Sequence, residues 1–274
     1  MKAYMRDALG KAKQGNFAIP ATNFIDWNSA KAYVEMSEEL NLPLILAFAQ
    51  VHSPYLSLEE AASIGKYFQE KAKTPVVLHL DHGQDLVFIK KAIQLGFNSV
   101  MIDASLDSFE ENVRKTKEVV EVAHEFGVDV EAEIGFVGAN GDVSKDEIKS
   151  IYTNVEDAEK FVQETNVDSL AVSIGTSHGL YKGIPKINFQ RLSELRNVLN
   201  IPLVLHGGSG SGDDNLNRCA REGISKINIY SDFMDAGAKS VSEKSFTNYI
   251  DVLKASREGM KTTLKHYYRV FETK

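Results

Sequence analysis

At 274 residues, with 43% hydrophobic and 25% charged residues, the chain has ordinary globular make-up and enough length for the core of one large α/β domain. Its net charge of −7 gives nucleic-acid binding no electrostatic footing, yet leaves room for a phosphate held by local groups. No run approaches the ~20 apolar residues that span a bilayer, the opening segment lacks a signal-peptide core, and the lone Cys219 cannot form an internal disulfide; a cytoplasmic protein is expected.

In chain order, an amphipathic helix of mixed charge comes first, MKAYMRDALGKAKQGN. Short apolar runs then predict strands at 17–22, 43–49, 75–81, 98–103, 128–134, 168–174, 201–206 and 224–229. Helices are predicted between them, near 28–41, 57–73, 84–95, 108–126, 154–166, 188–199, 212–222 and 231–245, with a helical tail near 248–272. Ser57-Leu58-Glu59-Glu60 and Ser108-Phe109-Glu110-Glu111 read as capping boxes. The strands read as near-continuous apolar runs, the pattern of a parallel sheet covered on both faces. Eight strand–helix units in this length predict a (β/α)₈ barrel, a single domain over 1–274 with an N-terminal helix and a C-terminal helical extension. A doubly wound open sheet is the rival, and the first strand lacks its G-x-G-x-x-G fingerprint. Residues 135–150, GFVGANGDVSKDEIKS, are too long and glycine-rich for a plain βα connection and read as a lid.

In such a barrel the chemistry sits at the C-terminal ends of the strands. Those ends carry Asn23, Ala49 and Gln50, Asp81 and His82, Asp103, Glu131 and Glu133, Ser173 and His178, His206, and Asn228 with Ser231. His82, His178 and His206 each follow an apolar strand and precede a glycine; converging, they make the three-imidazole ligand set of an open zinc site. His52, His79, His124 and His266 are read as ordinary polar residues, His79 being the closest to a role because it shares strand parity with Asp81. Asp81, beside such a cation, stays ionised and can exchange a proton with a substrate hydroxyl. Strand alternation turns Asp81 and His82 to opposite faces, so both reach one site only if the strand has ended by His82. The glycine-rich stretch from Gly207 to Gly212, the glycines Gly175 and Gly179, and the segment Asn228-Ile229-Tyr230-Ser231 are candidate phosphate cradles.

LHLDHG (78–83), GTSHGLY (175–181), LVLHGGSG (203–210) and KINI (226–229), in that order, resemble the motifs of the class II, zinc-dependent aldolases of ketose bisphosphates, and the resemblance covers nearly the whole chain. It implies a (β/α)₈ barrel, a homodimer or homotetramer. It implies Zn²⁺ on His82, His178 and His206, Asp81 as catalytic acid, and Asp103 and Glu133 as ligands of a second or displaced metal. Gly179, Gly207, Gly208 and Ser209, with Asn228, Ile229, Tyr230 and Ser231, fall on segments that hold dihydroxyacetone phosphate, with Asn23 at the same rim. The resemblance also implies a monovalent cation, Na⁺ or K⁺, near that phosphate. The implied reaction is reversible retro-aldol cleavage of fructose or tagatose 1,6-bisphosphate to dihydroxyacetone phosphate and glyceraldehyde 3-phosphate.

The chain departs from the family pattern in places. Gly141 stands where a loop glutamate is usual, leaving Asp142 as the candidate second base. Ala49 stands where many members have serine, and Ser231 where threonine is common. Arg257, in ASREGM, is a candidate for the distal phosphate, with a surface ion pair as its other reading. Other readings are a non-catalytic partner subunit, an aldolase of another phosphorylated sugar or sugar acid, a metal-dependent hydrolase (against which Asn23 stands where a His-x-His pair is usual), and a Schiff-base aldolase using Lys226.

Overall fold

The computed structural model describes residues 1–135, 152–177 and 183–274. Helix α1 (Met5–Gly15) leads into β1 (Ile19–Asn23), α2 (Trp27–Leu40), β2 (Leu44–Ala49), α3 (Leu58–Lys71), β3 (Val76–Gly83), α4 (Leu86–Leu95), β4 (Ser99–Ile102), α5 (Phe109–Glu125) and β5 (Asp129–Ile134). Then follow α6 (Val155–Thr165), β6 (Ser169–Val172), α7 (Phe189–Val198), β7 (Leu203–Leu205), α8 (Asp213–Glu222), β8 (Ile224–Ile229), α9 (Ser231–Ser242) and α10 (Tyr249–Val270). Each strand pairs in parallel with the next, and β8 pairs with β1, closing the barrel. The expected α/β barrel is the fold; most predicted strands run a residue or two beyond the paired segment. His52, just past β2, lies in a short 3₁₀ turn, Gln50–His52.

The strands carry an alternation that their apolar look concealed. In β5, Val130, Ala132 and Ile134 face the helices, while Asp129, Glu131 and Glu133 face the barrel interior. In β3, Val76, Leu78 and Leu80 belong to the outer core, and Val77, His79 and Asp81 point inward. The large β-branched and leucine side chains therefore fill the layer between barrel and helices, where burying each stabilises by roughly 1.5–3 kcal/mol. Polar side chains fill the upper part of the narrow interior. At the N-terminal end Ile19, Ala21, Ile45, Val77, Ala171 and Val204 form an apolar floor, closed from below by Met5, Leu9 and Ala12 of α1. The opposite, C-terminal end is left for polar groups.

Of the two expected capping boxes one forms in full. Ser57 and Glu60 complete a reciprocal capping box, and Ser108 makes only the half in which its hydroxyl accepts from the Glu111 amide. Helix α10 runs outside the barrel against α9 and α2. Its crossing with α9 is close because Gly259 has no side chain: a Cβ there would stand 2.4 Å from the Ala236 carbonyl oxygen.

Candidate active site

The site begins with an irregularity in β3. The strand does not end by His82; it pairs on to Gly83, and its register against β4 shifts between Leu80 and Gly83. Asp81 and His82 together span the step that β4 makes with Met101 alone, which is a β-bulge. His82 takes a left-handed backbone, φ 47°, at a cost of order 1–3 kcal/mol for a non-glycine residue. Gly83 makes the bulge sterically feasible, since a Cβ there would lie 2.6 Å from the Met101 carbonyl oxygen. The bulge breaks the alternation, so Asp81 and His82 both face the interior side of the rim.

There the His82 and His206 rings meet edge to face, 4.6 Å apart, with His82 Nε2 and His206 Nδ1 at 2.9 Å. Each ring is tied at its far nitrogen to a carboxylate: His82 Nδ1 to Asp103 at 2.7 Å and His206 Nε2 to Glu131 at 2.9 Å. These carboxylates orient the rings and leave the inner nitrogens facing each other. Lone pairs at that separation repel unless a proton or a cation lies between them. Asp81, His82 and His206 form one cluster able to hold a metal ion, and His82, Asp103 and Glu133 a second beside it. Glu133 Oε2 is buried with no hydrogen-bond partner, a further acceptor aimed at this region.

Asp81 is held by two amides: Asn23 Nδ2 donates to Oδ2 at 2.8 Å and Asn228 Nδ2 to Oδ1 at 3.0 Å. The amide oxygens of Asn23 and Asn228 are then left buried without donors, as a site that awaits hydroxyl or cationic partners would leave them. Burial alone would raise the Asp81 carboxyl, but the His82 and His206 rings and the Lys226 ammonium hold it well below the ordinary carboxylate range. Against its own burial, His82 is pushed up to about 9 by Asp81 and by its bond to Asp103. Glu133 moves the other way for an acid: burial and the Asp103 charge push it up to about 8.

Beneath this rim lies a buried charge layer. Lys226 Nζ donates to both oxygens of Glu131 at 2.8 Å, and both side chains are wholly buried. His79 joins them, with Nε2 3.3 Å from Lys226 and Nδ1 2.8 Å from the Ser99 hydroxyl. Burial, then the Lys226 charge, drive His79 down to about 3, so it stays neutral. Glu131 thus belongs to the barrel interior rather than to the strand end: it spans Lys226 and His206 and passes the lysine's charge compensation to the rim. A buried pair of this kind is weak evidence for stability in itself, but removing one partner strands the other's charge. Lys226 is wholly buried and engaged by Glu131.

Above the rings opens a cavity of ≈ 440 Å³. Asn23, Asp81, His82, Asp103, Gly207, Gly208, Ser209, Asn228, Ile229, Tyr230 and Ser231 all line it. Their roles in detail differ. The Gly208 amide already donates to the Asn228 carbonyl at 3.1 Å, and the Ser209 hydroxyl accepts from the amides of Tyr230 and Asp232. Ser209 therefore ties the turn after β7 to the start of α9, whose N-terminus reaches the cavity at Ser231. Gly207 has φ 69°, and a Cβ on it would be 2.3 Å from the Ser177 carbonyl oxygen, so the turn admits nothing larger.

His178, Gly179 and Asp142 lie outside the described residues. Arg257 is described and does not line this cavity: α10 runs outside the barrel, and the guanidinium turns to α2, donating to Asn28 Oδ1 at 3.1 Å with Glu35 3.6 Å away. His124 and His266 sit in surface pairs with Asp168 and Asp213. His52, read as ordinary, instead lines the cavity together with Val51 and Gln84. The signal that could have found it was its position three residues beyond the end of β2, on the rim where the other site residues fall.

A family model described as "Fructose-bisphosphate aldolase class-II" matches residues 3–274. Over 212 residues, 76% of this chain and 69% of the relative, the chain is 42% identical to a fructose-bisphosphate aldolase of Helicobacter pylori (strain J99). Among solved structures it resembles the YdjI aldolase of Escherichia coli K12, with a TM-score of 0.91 and 32% identity over 99% of this chain and 97% of that one. The fold is also that of a fructose-bisphosphate aldolase from Campylobacter jejuni, with a TM-score of 0.83 and 24% identity over 99% of this chain and 95% of that one.

Proposed function

The chain belongs to the class-II fructose-bisphosphate aldolase family and is an aldolase, a carbon–carbon lyase acting on a phosphorylated sugar; on that footing we propose that it uses Zn²⁺ to cleave fructose or tagatose 1,6-bisphosphate reversibly into dihydroxyacetone phosphate and glyceraldehyde 3-phosphate. The observation that carries this reading is the pair of inner nitrogens on His82 and His206, 2.9 Å apart, each ring held from behind by a carboxylate. Neutral nitrogen donors in that number and spacing suit Zn²⁺, with His178 as third ligand. When bound there, the ion would supply Lewis acidity to the substrate ketone.

The protein groups would do the rest. Asp81, ionised and oriented by Asn23 and Asn228, would take the proton from the hydroxyl next to the scissile bond as that carbon becomes an aldehyde. In synthesis it would return that proton to the new hydroxyl. The free amide oxygens of Asn23 and Asn228 would accept from substrate hydroxyls. The segments Gly207–Ser209 and Asn228–Ser231, with the N-terminus of α9, would hold the phosphate of the three-carbon half. Asp142 remains the candidate for the proton at its reacting carbon.

A coupled assay of purified protein on fructose and tagatose bisphosphates tests the proposal. Cleavage of one of them is expected, lost on dialysis against a chelator and restored by stoichiometric Zn²⁺. Cleavage that survives removal of all metal would sink it.

Metal removal should also expose a pH dependence. For Glu133 the folded-state pKa of about 8 exceeds the ordinary 4.5 of a free carboxyl, and for His82 about 9 exceeds the ordinary 6.5 of imidazole. Both groups bind protons more tightly when folded, so each contributes stability at low pH that is lost as pH rises through its folded value. Metal-free protein is expected to melt at progressively lower temperature between about pH 6 and 9. Zn²⁺, which displaces those protons, should flatten the trend. A metal-free melting temperature that climbs over that range would contradict these assignments.

A further inference from the structure

The rim holds one imidazole that the mechanism above leaves without work. His52 is 7% exposed, lines the cavity, and packs its ring on Tyr230 with centroids 4.5 Å apart. Its Nδ1 is shut off from solvent and meets no hydrogen-bond donor or acceptor. Nδ1 is therefore closed to a ligand as well, and the ring can meet a ligand group in the cavity only through its other nitrogen, Nε2.

The location narrows what that group is. Tyr230 is the residue before Ser231, where α9 begins, and its amide is held by Ser209 of the turn after β7. His52 therefore stands at the edge of the cavity where a helix N-terminus and a glycine-rich turn converge, a setting that favours an anion. Among the described residues that line the cavity there is no lysine and no arginine, while Asp81 and Asp103 contribute negative charge. An anion entering there has few cationic or ring N–H donors to meet. His82 and His206 are committed to each other and to their carboxylates. His52 is the imidazole that remains.

We propose that His52 is a phosphate-binding residue, its ring donating a hydrogen bond to a phosphate oxygen of the substrate at the Tyr230–Ser231 edge of the cavity. Burial lowers its pKa, with Asp81 opposing, so the free ring is neutral and carries one N–H to donate. The inference rests on the aldolase reading for the sugar that bears the phosphate, and on the geometry alone for the phosphate itself.

The test uses zinc-loaded protein and three probes: inorganic phosphate, dihydroxyacetone phosphate, and dihydroxyacetone, which keeps the hydroxyls and lacks the phosphate. His52→Phe retains the ring against Tyr230 and removes both nitrogens; His52→Gln keeps a donor of similar reach. His52→Phe should weaken inorganic phosphate and dihydroxyacetone phosphate by about tenfold or more, the loss of one charge-assisted bond, and leave dihydroxyacetone and the zinc content unchanged. His52→Gln should restore part of the loss. Equal weakening of dihydroxyacetone and its phosphate would mean a hydroxyl contact or simple packing and would overturn the proposal, as would unchanged phosphate binding. In the unaltered protein the His52 ring resonance should shift saturably on phosphate titration, and a static resonance overturns the proposal even if neither variant folds. Phosphate binding that depends on His52 in a protein that cleaves no ketose bisphosphate would reject the aldolase substrate and keep this site; cleavage with His52-independent phosphate binding would do the reverse.

Discussion

Asp81→Ala is expected to keep zinc and lose carbon–carbon cleavage, with kcat down about 10³-fold, the usual worth of a positioned acid–base group. The carboxylate is 1% exposed and fixed by the Asn23 and Asn228 amides, so its loss removes the proton acceptor without disturbing a strand. Those amides would turn to water in the open cavity, limiting the cost to folding. The rings of His82 and His206 keep their own carboxylates, Asp103 and Glu131, so their orientation survives. Stoichiometric zinc by elemental analysis, with turnover near background, is the expected pair of results. Near-normal cleavage would reassign the acid. The choice of alanine over asparagine matters: an asparagine amide would have to set its own donors against those of Asn23 or Asn228.

His206→Ala is expected to abolish metal binding and activity together. His206 is fully buried and supplies one of the two facing nitrogens. Its removal should weaken zinc by well over the ~100-fold that loss of an outer hydrogen-bond partner can cost. The fold should tolerate the change better than burial suggests. Glu131 loses a partner but keeps both of its bonds to Lys226, so no charge is stranded. Thermal unfolding would separate the two effects: a cooperative transition in a protein that no longer retains zinc fits the assignment. A variant that still holds one equivalent of zinc would remove His206 from the ligand set.

The two variants probe groups that differ in how readily they are read from the chain. His206 ends an apolar run and is followed by two glycines, and that local pattern alone sets it at a strand end. His82 was legible by the same signal, but its direction was not. Alternation argued against Asp81 and His82 sharing a face, and the outcome turned on a bulge that depends on Gly83 lying against the Met101 carbonyl of a different strand. Arg257 is a different case. Its sequence context left two readings open, and the course of α10 outside the barrel puts its guanidinium on Asn28 and beside Glu35. His52 was passed over although it stands three residues past β2, on the rim with the other site residues; Tyr230, which gives it a place in the wall, is 178 residues away by position.

Read alone, the chain determined the strand–helix repeat, the barrel class, and the rim where Asp81, His82, His206 and the glycine-rich turns gather, because periodicity and strand-end chemistry are local properties of a few residues. Closure of the barrel decided what those residues face. It brought Lys226 of β8 onto Glu131 of β5, set Glu131 behind His206, and turned His52 into the cavity. Such pairings depend on shear, bulges and the approach of distant strands, and these are fixed by packing across the whole sheet rather than by any one segment.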